Sequence, residues 1–473
     1  MAAVPASNPA RPGPGTAALL AGAGLLLAAV AVWGLFTDVA WVSQAFYAWA
    51  WWAWILLLDA FCVWRRGSSL LTTRRPLLGL LATSSVTFWF LFELLNLRFK
   101  NWYYVGTFEL DGPWTYVTAG LFVVMAFSTV FVGMFEAFDA LGAAGVLTRR
   151  GAPRKLPAWL PGGLQLLGLA MAAAAVLFPF YLAPLIWGSL TFLLDPWNHK
   201  RGNRSLLRDI EAGDGRAVWR LFLAGLISGL VWESLNFAAA QKWIYTVRGL
   251  EELKLFEMPL LGFLGFPALA FDAVTGFSLM SYLLCGNVGW EHEGDLAAPA
   301  VATDHLDLRR YWRTLPLQAV LWVGVTALMM PRSIGSVRLR LEHLPTVVED
   351  GDLGAIEDLA ERGIHWPRQL LATLRSDEGD LLAADLGWGA ERRARVERQA
   401  ELWLFKGIGS WYGFLLEDEG IEAVEDLAAW DEVELHRALV RAVEPHDLRP
   451  PNQDWVRVWV LASRSGGVLM RAE

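Results

Sequence analysis

Residues 88–104, FWFLFELLNLRFKNWYY, decide how this chain is read, because Glu93 and Asn96 stand near the end of an apolar segment long enough to cross a bilayer. An ionisable group at that position is costly and marks a candidate site. The design returns at 230–245, LVWESLNFAAAQKWIY: Glu233 falls on Glu93, Asn236 on Asn96, Trp243 on Trp102 and Tyr245 on Tyr104, with one extra residue before the tryptophan. The echo extends upstream. LLLDAFCVWRRGSSLL around Asp59 matches FLLDPWNHKRGNRSLL around Asp195, with Arg66-Gly67 lying on Arg201-Gly202. An internal duplication is therefore expected, and duplicated membrane folds commonly hold their site between the repeats.

Composition agrees with a membrane protein. The chain is 55% hydrophobic, has a mean hydropathy of +0.36 and carries 26 tryptophans, well outside ordinary soluble usage. Its two cysteines, Cys62 and Cys285, lie in apolar segments, and its seven histidines show no H-x-x-H or H-E-x-x-H spacing. Neither a disulfide framework nor a metal site is expected, and no cofactor is called for. The charge of −8 is uneven, since residues 345–473 carry 26 acidic against 14 basic side chains. The remainder is then net positive, as basic cytoplasmic loops on a span bundle would be.

Residues 1–16 read as a disordered leader lacking a basic n-region. Spans follow at 17–36, 41–64, 76–96 and 116–142. The run 162–194 is too long for one upright helix and is interrupted by Pro179 and Pro184, so it splits into two short spans. Further spans are expected at 218–240, 259–284 and 315–330, giving about nine. The fold expected is all-α: a polytopic transmembrane bundle of two parallel repeats (17–147 and 148–285), then a connecting loop plus last span (286–344). A C-terminal soluble helical domain (345–473) completes it. The loops carrying Arg65, Arg66, Arg74 and Arg75, then Arg149, Arg150, Arg154 and Lys155, then Lys200, Arg201, Arg204, Arg208 and Arg216, all fall on one side, read as cytoplasmic. Glu93, Glu233 and the tail then lie on the other side of a multi-pass protein, in a bacterial-type inner membrane or its equivalent.

Within the tail, FKGIGSWYGFLLEDEGIEAVEDLA at 405–428 resembles a helix-hairpin-helix module, with Gly407-Ile408-Gly409 on its glycine hairpin and Gly420-Ile421 on the turn before its next helix. The resemblance implies a phosphate cradle at Gly407 and Gly409. Here Glu417, Asp418, Glu419, Glu422, Glu425 and Asp426 crowd the motif, which argues against nucleic acid and for a packing or protein-contact module.

Glutamate and asparagine three residues apart share one helical face, so Glu93 and Glu233 are the candidate catalytic pair, with Asn96, Asn236, Trp102, Tyr104, Trp243 and Tyr245 as binding residues. A carboxyl held in a poorly hydrated cavity can donate a proton. The plain alternative pairs Glu93 with Arg98 or Lys100, and Glu233 with Lys242. Asp59 and Asp195, each shortly before an Arg-Gly step, read as architectural, and Glu136 and Asp139 as solvated at the interface. Asp272, deep in an apolar run, is by depth the costliest carboxylate, and Glu257 opens that span before Pro259. The order Glu233, Trp243, Tyr245, Glu257, Pro259 resembles membrane-type carotenoid cyclases and hydratases, with Met258 where a second acid would stand. That resemblance implies protonation of an isoprenoid double bond by the carboxylates. The function expected is binding, with protonation as the accompanying chemistry, of an amphipathic or isoprenoid-like membrane lipid. The alternative is a non-catalytic anchor or assembly factor that presents the acidic domain to partner proteins.

Overall fold

The computed structural model describes residues 12–37, 39–106, 113–248, 254–287, 289–291, 308–336, 338–349, 353–446 and 448–464. Most of the leader expected at 1–16 therefore lies outside the described residues. The membrane part is built from helices α1 (Pro14–Gly34), α2 (Phe46–Arg66), α3 (Arg75–Phe99), α4 (Pro113–Ala143), α5 (Leu160–Leu177), α6 (Ser189–Arg201), α7 (Arg216–Ala238), α8 (Gly265–Leu284) and α9 (Leu315–Ser333). Among the described residues, eight helices are long and apolar enough to cross a bilayer, which makes this a multi-pass membrane protein. The difference from nine lies in α6. The run 162–194 breaks at 178–188, as its prolines require, but the returning helix has only 13 residues, fewer than a span needs.

α6 runs back along α5. Gly168 lets the backbones touch, since a Cβ there would meet Leu193 N at 2.6 Å and Ser189 O at 2.7 Å, the close approach that small residues permit between membrane helices. α1 packs on α2, α2 and α3 on α4, α6 and α7 on α8, and α4 on α7.

One end of the bundle gathers the arginine-rich loops. The guanidinium of Arg65 donates to Ala143 O (3.2 Å), that of Arg74 to Trp290 O (3.1 Å) and that of Arg220 to Val146 O (2.8 Å). Asp59 accepts from the amide of Leu71 (3.0 Å), and Asp195 from those of Leu206 (2.8 Å) and Leu207 (2.9 Å). Each aspartate thus closes its loop through backbone donors. Glu136 and Asp139, expected to be solvated, are buried instead. Asp139 is ion-paired with Arg74, and Glu136 lies against Asp59.

At the other end, α3 and α7 each turn into a short strand, β1 (Trp102–Val105) and β2 (Lys242–Tyr245), and the two pair antiparallel. The turns are held by the asparagines. Asn96 accepts from the amide of Asn101 (2.8 Å) and donates to Trp102 O (3.0 Å), while Asn236 accepts from the amide of Trp243 (3.0 Å) and donates to Trp243 O (3.0 Å). Opposed residues of an antiparallel pair share a face. The register Trp102↔Tyr245 and Tyr104↔Trp243 sets four aromatics on the bundle side. Tyr103↔Ile244 and Val105↔Lys242 face away. The end of α9 joins the ribbon through a bridge between Ile334 and Tyr104.

The tail caps the outward face. Tyr103, Val105 and Ile244 belong to the same core as Leu341, Leu344, Trp403, Ile408, Tyr412, Trp455 and Trp459. One apolar core thus runs from the ribbon into the tail, because the ribbon's second face needs an apolar cover. Lys406 (φ 44°), Gly407 (φ 76°) and Gly409 (φ 68°) take left-handed backbone. Gly407 lies so close to Val105 that a Cβ would reach Val105 Cγ1 at 2.1 Å. The glycine hairpin of the tail is thus one of its contacts with the membrane part. Gly407→Ala is expected to cost about 1–3 kcal/mol through strain and overlap, read as a lower unfolding temperature and faster proteolysis of the tail in detergent.

Candidate functional site

The ribbon's four inward aromatics form the roof of a cavity of about 610 Å³ where α3 and α7 end, whose wall continues with Tyr47, Trp89, Phe127, Trp187, Trp232, Met258, Leu261 and Phe266. The rings run in contact across the roof. Centroids are 5.2 Å apart for Tyr47 and Trp243, 5.5 Å for Trp243 and Trp232, 5.4 Å for Trp232 and Trp89, and 6.4 Å for Trp89 and Trp102.

Glu93 and Glu233 stand behind this wall, both fully buried and neither lining the cavity. Tyr104 donates its hydroxyl to Glu93 Oε1 at 2.5 Å, and the indole of Trp102 donates to the same oxygen at 3.1 Å. Tyr245 donates to Glu233 Oε1 at 2.8 Å, while Trp243 donates to the Tyr245 hydroxyl at 2.8 Å. The alternation of the strands explains the arrangement: residues two apart in β1 and in β2 point back over the helix that precedes them. Burial, and then the carboxylate beside each, push both phenols well above their usual range, so they keep and donate their protons. Direct protonation of a cavity ligand by either glutamate has no geometric basis. A tyrosine stands between.

The other sequence candidates fall elsewhere. Asn96 and Asn236 hold the helix-to-strand turns described above. Asp272 accepts from the amides of Gly188 (2.8 Å) and Thr191 (2.7 Å) and from the Thr191 hydroxyl (2.6 Å). It caps the N-terminus of α6 from α8, which explains an acid at that depth. Glu257 takes Lys242 at 3.0 Å and Lys406 at 2.7 Å, so Lys242 serves this acid rather than Glu233. Neither Arg98 nor Lys100 bonds Glu93 among the described residues.

The sequence reading missed Tyr47, Trp89, Trp187, Trp232 and Lys406. Trp89 lies one helical turn before Glu93, and Trp232 immediately precedes Glu233, so both stood within reach of helical spacing. Tyr47 and Trp187 arrive from distant segments and carried no such signal. Among the described residues, no group of three or more His, Cys, Asp or Glu side chains could hold a metal ion.

No family model matches this chain, and neither a curated protein nor a solved structure matches it.

The Glu257 cluster ties the tail to the membrane part. Burial alone would raise the Glu257 carboxyl, but the ammonium groups of Lys406 and then Lys242 outweigh it and hold the acid at about 2. Lys242 is itself pushed down, chiefly by burial, so Lys406 is the stronger partner. A carboxyl depressed in the folded state stabilises fully above its ordinary value of 4.5 and loses that contribution as pH falls toward 2. Acidifying from pH 5 to pH 2 is expected to release the tail, measured by protease sensitivity. Glu257→Gln should release it less steeply over that range, starting from a looser state at pH 7.

Proposed function

We propose that this protein binds an amphipathic, isoprenoid-like membrane lipid in the cavity beneath the ribbon. The observation that carries this reading is the pair of tyrosine hydroxyls, Tyr104 and Tyr245, each anchored to a buried glutamate on the wall of a predominantly apolar cavity of about 610 Å³. Such a wall suits a chain-bearing molecule with one polar end. Leu261 and Leu264 line the same cavity and are exposed on the bundle's apolar surface, which gives a ligand a route from the bilayer. The glutamates fix and polarise the tyrosines, and any proton reaching the ligand would pass through a hydroxyl. The resemblance to carotenoid cyclases and hydratases thus bears on the class of ligand more than on the chemistry.

The protein purified in mild detergent is expected to carry a lipid, identified by mass spectrometry after extraction. Ala126→Trp, which fills the cavity from α4, should lower lipid per protein several-fold. An empty wild type, or an undiminished load in the variant, sinks the reading.

A second reading has its own support, since Asp418, Glu419, Glu422, Glu425 and Asp426 form an exposed acidic surface on the tail. That surface suits a basic protein partner, in line with an assembly factor, and it disfavours nucleic acid. The helix-hairpin-helix likeness fits this use of the motif as a packing module.

The two helix groups are read as parallel repeats, α1 to α4 and α5 to α8. Support comes from the equivalent bonds of Asp59 and Asp195, of Asn96 and Asn236, and of Glu93 and Glu233, and from α3 and α7 both ending at the ribbon. With the arginine-rich end cytoplasmic, single cysteines at Gly151 and Gly202 should resist an impermeant maleimide until lysis, in a background lacking Cys62 and Cys285. One at Glu419 should react on intact cells. Labelling of Gly151 without Gly202, or the reverse, would contradict parallel repeats.

A further inference from the structure

Two acids buried in a membrane bundle without a basic partner need an explanation beyond packing. Oε2 of Glu93 and Oε2 of Glu233 have no hydrogen-bond partner, and neither acid forms an ion pair among the described residues. The first oxygens are held by hydroxyl and indole donors, which a carboxylate and a neutral acid can both accept. An isolated buried carboxylate is expensive, and a cation nearby removes that cost.

The surface between these acids and the cavity is built for such a cation. Tyr104 and Tyr245 turn their protons away toward the glutamates, and the Tyr245 oxygen also accepts from the Trp243 indole, so the tyrosines offer a ligand ring faces and oxygen lone pairs but no proton. Tyr47, Trp243, Trp232, Trp89 and Trp102 run in edge-to-face and tilted contacts from one acid to the other. Such clustered ring faces attract ammonium groups, with Trp the strongest. Two cations also line the cavity, and each is ion-paired, Lys242 with Glu257 at 3.0 Å, an acid it shares with Lys406, and Arg248 with Asp454 at 3.2 Å, an acid it shares with Arg457.

We infer that the cavity selects an amphiphile whose head carries a positive charge, an ammonium or quaternary ammonium group held against the aromatic roof with Glu93 and Glu233 behind it. This rests on the reading of the cavity as a lipid site and names the head group of the lipid.

The test uses the full-length protein in a non-ionic detergent and three probes with the same dodecyl chain: the trimethylammonium, the neutral dimethylphosphine oxide and the sulfate. Calorimetric titration is expected to give the ammonium roughly tenfold or more tighter binding than the phosphine oxide, with the sulfate weakest. Glu93→Gln combined with Glu233→Gln should bring the ammonium down to the phosphine oxide and leave the latter unchanged. If that pair folds poorly, Trp232→Leu, which keeps both acids, should likewise weaken the ammonium alone. Equal binding of ammonium and phosphine oxide, both abolished by Ala126→Trp, would overturn the cationic head group and leave the lipid cavity standing. Binding of no probe, or binding that Ala126→Trp does not affect, would overturn both.

Discussion

Pairing of two four-residue strands is the constraint on which the rest of this structure depends. Isolated in water, a ribbon so short would be marginal. Here each strand is bolted to the end of a long helix by an asparagine, and the two faces of the ribbon are committed to different neighbours. Because side chains alternate along a strand, one pairing register decides two interfaces at once. Trp102, Tyr104, Trp243 and Tyr245 look into the bundle, while Tyr103, Val105 and Ile244 look into the tail. A slip of one residue would exchange those sets, placing the tyrosines in the tail's core and leaving both glutamates without their donors. Fold, cavity and tail docking are thus specified together by the spacing of W-x-Y.

The sequence showed much of this because repetition and periodicity are local properties. The matched Glu-x-x-Asn-…-Trp-x-Tyr runs, the apolar segments and the arginine-rich loops could all be read along the chain, and the break in 162–194 followed from two prolines. What could not be read was which side of a residue faces what. Glutamate and asparagine share a helical face, yet Asn96 and Asn236 spend their amides on the backbone turn, and the glutamates sit behind their tyrosines rather than in the cavity. Asp272 gave the strongest depth signal and turned out to be a cap, because its donors, Gly188 and Thr191, come from a segment 81 residues or more away. Pairings at that separation leave no trace in local spacing.

The tail illustrates the same limit in another form. Its acidic composition separates it from the membrane part as a sequence, but composition reports solvent-facing residues, whereas the core follows apolar contacts. Those contacts reach across to β1 and β2. The glycine hairpin, which in a basic setting would suggest phosphate, is occupied by Val105 of the ribbon. Glu257 with Lys242 and Lys406 adds a charge-based clasp beside it. The pair of lysines draws one partner from each side of that contact, so the clasp is complete only when the tail is seated.

The trans-cap by Asp272 also constrains the order in which the chain can be assembled. Helix α6 is 13 residues long and opens with the amides of Gly188 and Thr191, whose acceptor is Asp272 of α8. A helix that short, with orphaned donors at its start, has no stable place in hydrocarbon on its own. The acceptor arrives only when α8 has been synthesised and inserted. The start of α6 is therefore completed only once α8 has packed against it, which couples the α5–α6 hairpin to the helices that follow.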